Sequence, residues 1–179
     1  MICYKRAYDL SGHNKDLLEK YNLEPKEYVY IGATTKPMYY RNSKWRYAIL
    51  NNNRYVSKEI RSFIHNLKRF YKYELHMLHE EIDKQLFYTY EILAETNDFQ
   101  MLRELEQVVN ASYLTLELIN KDIVLLSKFD TKIKIDNNKI VIKNNHKIKI
   151  NKSKHVIIEN EKSLDTGISR LWFIKREML

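Results

Sequence analysis

The chain has 179 residues, a formal charge of +8 and a single cysteine, Cys3. One thiol excludes an internal disulfide and a thiolate-built zinc site, and it fits a reducing cytoplasm. No run approaches the roughly 18 apolar residues of a membrane helix, and an amino terminus interrupted by Lys5, Arg6 and Asp9 does not read as a secretory signal.

Residues 1–8 read as a strand, although their alternation has an imperfect period of two. A polar excursion over 9–26 follows, with a short helix at 15–21 and Pro25 as a stop. Residues 27–33 (EYVYIGA) form a second strand rich in β-branched and aromatic types. Thr34, Thr35 and Pro37 make a turn, Pro37 opens a helix over Met38–Leu50, and the triplet Asn51-Asn52-Asn53 ends it.

The spacing of Ile60, Phe63, Ile64, Leu67, Tyr71, Leu78 and Ile82 predicts a long amphipathic helix over 57–84, capped by Ser57 and kinked or broken near 71–73. Its basic residues crowd the first half and Glu80, Glu81 and Asp83 crowd the end. That order opposes the helix dipole, which implies other partners for the charges. Residues 86–95 read as a third strand. Asp98 caps a helix from Phe99 to about 113, extending to Asn120. The order strand, strand, helix, helix, strand, helix predicts an α+β fold with a small three-stranded sheet flanked by helices over residues 1–126.

Residues 127–179 read as a separate appendage. Apolar and polar residues alternate there between Asn-rich turns, the pattern of three or four short antiparallel strands, with a closing helix over 164–179. Thr166 to Arg170 have a faint helix-turn-helix character. Lys139, Lys143, Lys147, Lys149, Lys152 and Lys154 would share one face of that sheet. Such a face either contacts phosphates or protects sheet edges from aggregation.

The net charge favours a polyanionic partner, because Lys and Arg displace counterions from phosphates. Fourteen tyrosines, against six phenylalanines and two tryptophans, add stacking faces and hydroxyls. Tyr4 and Tyr30 lie on two strands that can pair. Gly32 lets backbone approach a phosphate without a Cβ in the way. Arg41 follows on the next helix, suited to a forked phosphate contact, and Glu106 on a later helix can ligate a divalent metal through oxygen. His76 and His79 sit three residues apart but lack further ligands for a metal cluster.

Ile2-Cys3-Tyr4, Tyr30-Ile31-Gly32, Arg41 and Leu105-Glu106, in this order and over residues 1–120, resemble the motifs of the GIY-YIG nuclease family. The resemblance implies a Mg2+- or Mn2+-dependent DNA endonuclease. Tyr30 would then be the general base, Tyr4 its support, Arg41 the stabiliser of the transition state and Glu106 the metal ligand. Asn110 and Asn120 are candidates for a supporting asparagine, as Gly32 is for backbone approach. Trp45 stands four residues after Arg41, where the family often carries histidine or tyrosine. Tyr40, Lys44 and Tyr47 are the candidates to substitute for it. A homodimer or higher homo-oligomer is a candidate assembly, since two-strand cleavage needs two sites or sequential nicks. The abundance of Lys, Asn, Ile and Tyr suggests an AT-rich phage or bacterial genome, with the host cytoplasm as the compartment for a phage protein. The alternative is a nucleic-acid-binding protein that retains this fold without turnover. An interaction module built on the long helix accounts for the apolar stripe but not for the tyrosine–arginine arrangement.

Overall fold

The computed structural model describes residues 1–129 and, in the tail, four strands between 134 and 159. The chain divides into two units, 1–132 and 133–179. The first is α+β. Its elements are β1 (Ile2–Asp9), α1 (Lys15–Glu19), β2 (Glu27–Thr34), α2 (Met38–Leu50), α3 (Lys58–Tyr73), α4 (His79–Asp83), β3 (Glu91–Glu95), α5 (Phe99–Ile119) and β4 (Ile123–Leu125).

The sheet has four strands in the order β3-β1-β2-β4, not three. β1 pairs antiparallel with β2 and with β3, while β4 lies parallel to β2. β4 spans only three residues, too few for alternation to show in sequence. It explains why the first unit continues past residue 126. Leu125, Leu126 and Ser127 are buried, and the Leu126 N–H donates to the Val29 carbonyl at 2.7 Å.

Helices pack on both faces of the central strands, so β2 is buried almost without interruption and β1 alternates poorly. On one face Tyr4, Tyr8, Tyr28 and Tyr30 join α2, α3 and α4 in the main core. On the other, Lys5 meets Tyr113 of α5, and α5 ties to β2 through side chains. Asn110 accepts a short hydrogen bond from the Ser127 hydroxyl, whose oxygen accepts the Ile31 N–H at 3.2 Å.

The expected helix over 57–84 is broken into two helices, at the end of the stretch where a kink or break is expected. α3 stops at Tyr73, His76 takes a left-handed φ of 52°, and the Leu78 N–H donates to the Glu81 carboxylate at 2.9 Å as α4 begins. This break resolves part of the charge order, and Asp83 and Arg61 find other partners in Arg46 and in the carbonyls of Asn53 and Val56. Lys72 falls in the last turn of α3, and Glu80 and Glu81 fall in the first turn of α4, each where the backbone dipole favours it.

The expected strand over 86–95 also begins late, at Glu91. Residues Lys84–Tyr88 form a π-helical turn instead. Leu86 and Phe87 are both buried, which no alternating strand allows, and their carbonyls turn inward. The Tyr8 hydroxyl donates to the Leu86 carbonyl at 2.9 Å. Arg6 Nη1 donates to the Phe87 and Thr89 carbonyls at 2.9 and 3.3 Å. Arg6 Nη2 donates to Asn42 Oδ1 at 2.6 Å, and the guanidinium lies 5.4 Å from the Tyr4 ring and 5.6 Å from the Trp45 ring. This arginine is fully buried, joining β1, α2 and the π-helical turn.

The second unit contains an antiparallel sheet in the order β5 (Lys134–Asp136), β6 (Lys139–Ile142), β7 (His146–Asn151) and β8 (His155–Glu159). Its backbone register pairs Ile135 with Ile140, Ile140 with Ile148 and Ile148 with Ile158, while Lys139 pairs with Lys149. The closing helix over 164–179 and the turn at 166–170 lie outside the described residues.

Replacing Arg6 by Met keeps much of the apolar stem but leaves two carbonyls and an amide oxygen without their donor. A buried acceptor left unsatisfied costs about 1–3 kcal/mol. Arg6→Met is therefore expected to lower the free energy of unfolding by about 3 kcal/mol or more in a urea titration.

Candidate active site

The site begins with a missing atom. Tyr4 on β1 lies opposite Gly32 on β2, and Tyr30 precedes Gly32 on the same face of that strand. A Cβ at Gly32 would lie 2.7 Å from the Tyr4 hydroxyl oxygen, 2.8 Å from its Cζ and 2.9 Å from Tyr30 Cε1. Gly32 does not have a positive φ, so the position requires clearance and not unusual backbone. The space above Gly32 is filled by the two phenols, which corrects the expectation that a phosphate approaches there.

Both phenol oxygens turn to Arg41, in the first turns of α2. Arg41 Nε donates to the Tyr4 hydroxyl at 2.8 Å, and Nη2 donates to the Tyr30 hydroxyl at 3.5 Å, a longer and weaker contact. Trp45, one turn further along α2, packs its ring 4.5 Å from the Tyr30 ring and 6.0 Å from the Arg41 guanidinium. Trp45 is thus the floor beneath the arginine, a packing role with no proton to relay.

Glu106 reaches the same place from α5. Its carboxylate accepts the Ala33 N–H at the end of β2, beside Arg41 and Arg103. Burial raises the pKa of this carboxyl, and the Ala33 hydrogen bond and the two guanidinium charges only partly oppose the rise. For Arg41, burial alone favours the neutral form. Tyr4, Tyr30 and Glu106 outweigh it and hold the guanidinium above its usual pKa. Burial, then the Glu106 charge, pushes the Cys3 thiol up to about 12. A thiol so far from ionising is a packing group and no nucleophile.

These residues border a cleft of about 570 Å³ that opens where β2 ends, between α2 and α5. Arg41 and Glu106 line it, together with Lys36, Tyr40, Lys44, Tyr47, Tyr55, Phe99 and Arg103. Tyr4 and Tyr30 do not. Tyr4 is 0% and Tyr30 5% exposed, and both stand behind the guanidinium. The expected substitutes Tyr40, Lys44 and Tyr47 are all at the cleft. Glu104, two residues before Glu106, instead accepts from Gln100 Nε2 at 2.9 Å on the exposed side of α5.

The two asparagines are elsewhere. Asn110 is buried, donates to the Glu106 carbonyl at 2.9 Å and accepts from Ser127, so its amide is structural. Asn120 is the exposed C-cap of α5, where it accepts the Asp122 N–H at 3.0 Å. At 1.5 Å rise per residue it lies about 21 Å along the helix from Glu106. Lys139, Lys147 and Lys149 lie on strands of the second unit, and Lys143, Lys152 and Lys154 lie outside the described residues.

Sequence reasoning missed Arg103, Lys36, Phe99 and Tyr55. Arg103 precedes Glu106 by three positions on one helix, the spacing that makes neighbours, and that signal was available. Tyr55 carried none, because it sits in an irregular segment between helices. Comparison with family models, with curated proteins and with solved structures found no match.

Among the described residues no three acidic, histidine or cysteine side chains gather as a metal-holding group. Glu106 is the one carboxylate among the described residues that line the cleft. That donor set fits Mg2+ only in the mode where one carboxylate shares the ion with substrate phosphates and water.

Gly32→Ala is expected to wedge the phenols apart, destabilising the protein by about 1–3 kcal/mol in denaturant titration, the usual range for overpacking. Glu106→Gln keeps the shape and the acceptor for Ala33. Because the folded-state pKa of Glu106 is raised, its protonated form stabilises the fold at low pH, and that contribution is lost as pH rises through the folded pKa. The variant is therefore expected to melt higher than the parent at neutral pH, with the gain disappearing below the ordinary glutamate range. Thermal melts at several pH values check both signs.

Proposed function

We propose that this chain is a divalent-metal-dependent DNA endonuclease of the GIY-YIG type. One observation carries the reading: Tyr4, Tyr30, Arg41 and Glu106, from two strands and two helices far apart in the chain, converge at one end of one sheet beside a basic cleft.

Cleaving a phosphodiester piles negative charge on the non-bridging oxygens, and a guanidinium of fixed orientation meets that charge without reorganising. Arg41 has five N–H donors. Nε serves Tyr4 and one Nη2 hydrogen faces Tyr30, which leaves the remaining donors for a phosphate. Lys36, Lys44 and Arg103 supply the flanking phosphate contacts. Glu106 would hold Mg2+ or Mn2+, whose chemistry is to polarise the phosphate and acidify water. The lysine-rich second unit would grip flanking DNA.

The burial of the phenols shapes the mechanism. Tyr30 faces Arg41 and not the cleft, so both tyrosines act through the guanidinium as positioning residues. This replaces the general-base role that the resemblance implied for Tyr30. A second reading, DNA binding without turnover, draws support from the single carboxylate among the described residues lining the cleft and from Trp45 at the position where a proton relay is common.

Nicking of supercoiled plasmid in Mg2+ or Mn2+, abolished by EDTA, is the expected result. Plasmid binding without nicking in either metal would select the second reading. Arg41→Ala is expected to slow cleavage about 10²–10³-fold, as loss of one transition-state donor does. Glu106→Gln is expected to remove the metal-dependent activity. Tyr30→Phe should lower the rate while leaving the shape of the pH–rate profile intact. Loss of the limb that rises with pH would return Tyr30 to the general-base role.

A further inference from the structure

The cleft is rimmed by rings as well as by cations. Tyr40, Tyr47 and Phe99 are about half exposed, and Tyr55 is 84% exposed. Leaving four large rings in water around one concavity forfeits their burial energy, and contiguous exposed apolar surface of this kind marks a binding site.

The rings are interleaved with the positive charges on both walls. On α2 the Lys44 ammonium lies 5.5 Å from the Tyr40 ring, and on α5 the Arg103 guanidinium lies 4.8 Å from the Phe99 ring. Tyr55 is held out deliberately. The segment between α2 and α3 is clamped by Arg61, whose Nη1 donates to the carbonyls of Asn53 and Val56, while Asn53 Oδ1 accepts the Tyr55 N–H at 3.1 Å. Val56 is buried next to it. A buried anchor and three hydrogen bonds thus fix a segment whose aromatic side chain points into solvent.

A duplex turns its bases inward and offers such rings only phosphates and sugars. An unpaired strand offers a charged backbone and free base faces, the two surfaces that alternating cations and rings match. Resting on the DNA-cleaving reading above, we propose that the cleft takes an unpaired DNA strand. Its bases stack on Tyr40, Tyr47, Tyr55 and Phe99 while Lys36, Lys44 and Arg103 hold the phosphates. The substrate is then a single-stranded or branched region, with the scissile phosphate delivered to Arg41 by stacked neighbours.

The test compares ligands of equal charge. Fluorescence anisotropy, in EDTA and at fixed salt, measures binding of the full chain to labelled oligothymidylate and to an abasic oligomer of the same length. The parent protein is expected to bind the thymidylate at least about tenfold more tightly, the scale of one stacked base. Tyr55→Ala combined with Phe99→Ala, with an unchanged melting temperature, should bring that ratio several-fold nearer to one, with Tyr40 and Tyr47 retaining the rest. It should leave abasic binding and the salt slope as they were, because the cations remain. Equal binding of the two oligomers by the parent, or equal weakening of both by the double variant, overturns the proposal. The measurement requires no cleavage. A protein that discriminates the oligomers yet cleaves neither plasmid nor oligothymidylate in Mg2+ or Mn2+ keeps the stacking inference and loses the nuclease reading.

Discussion

Everything at the mouth of this sheet depends on the clearance at Gly32. Two tyrosines occupy the volume that any other residue's Cβ would claim, and only there can both phenol oxygens face one guanidinium. Arg41 would otherwise be a long side chain with four rotatable bonds at the start of an exposed helix. The phenols, with Trp45 beneath, convert it into a group of nearly fixed direction. In the proposed reaction, that fixing would let the donor act on developing charge instead of following it.

The elements that support this arrangement were legible in different degrees. β2 and α2 stood out because aromatic and β-branched residues end at a glycine and a proline-marked helix follows. The Asp98 cap was equally plain, and its carboxylate does accept the Gln100 and Met101 N–H groups. β4 was invisible because three residues cannot show a period. The turn at Lys84–Tyr88 was misread because apolar aromatic residues suggest a strand, whereas tertiary partners on β1, Arg6 and Tyr8, capture its carbonyls. At the site, residue types and order suggested which side chains converge, but not which would face solvent. Tyr30 and Tyr40 look alike in sequence, yet one is packed on Trp45 and the other lines the cleft.

The electrostatics have an unusual depth. Arg6 lies fully buried under Tyr4 and Trp45, and Arg41 stands over the same tryptophan. Arg6 Nη1 and Nη2 donate to carbonyl and amide oxygens while its Nε–H is buried without a partner, so among the described residues its hydrogen-bond partners are neutral. Glu106 is the nearby negative charge on which Arg41 draws, and burial penalises that charge. Under the proposed function, a region that keeps a costly carboxylate beside cations trades stability for a prepared anion-binding surface.

The Asn110–Ser127–Ile31 link has a mechanical consequence for Glu106. A helix of 21 residues lying across a sheet has two soft freedoms, sliding along its axis and rolling about it. The link pins α5 to β2 one turn, about 5.4 Å, from the carboxylate, so little leverage remains for either motion to displace it. Beyond the link, Glu117 pairs with Lys128 and the chain enters β4, while the azimuth of Glu106 stays set by a hydroxyl wedged between an amide and a strand.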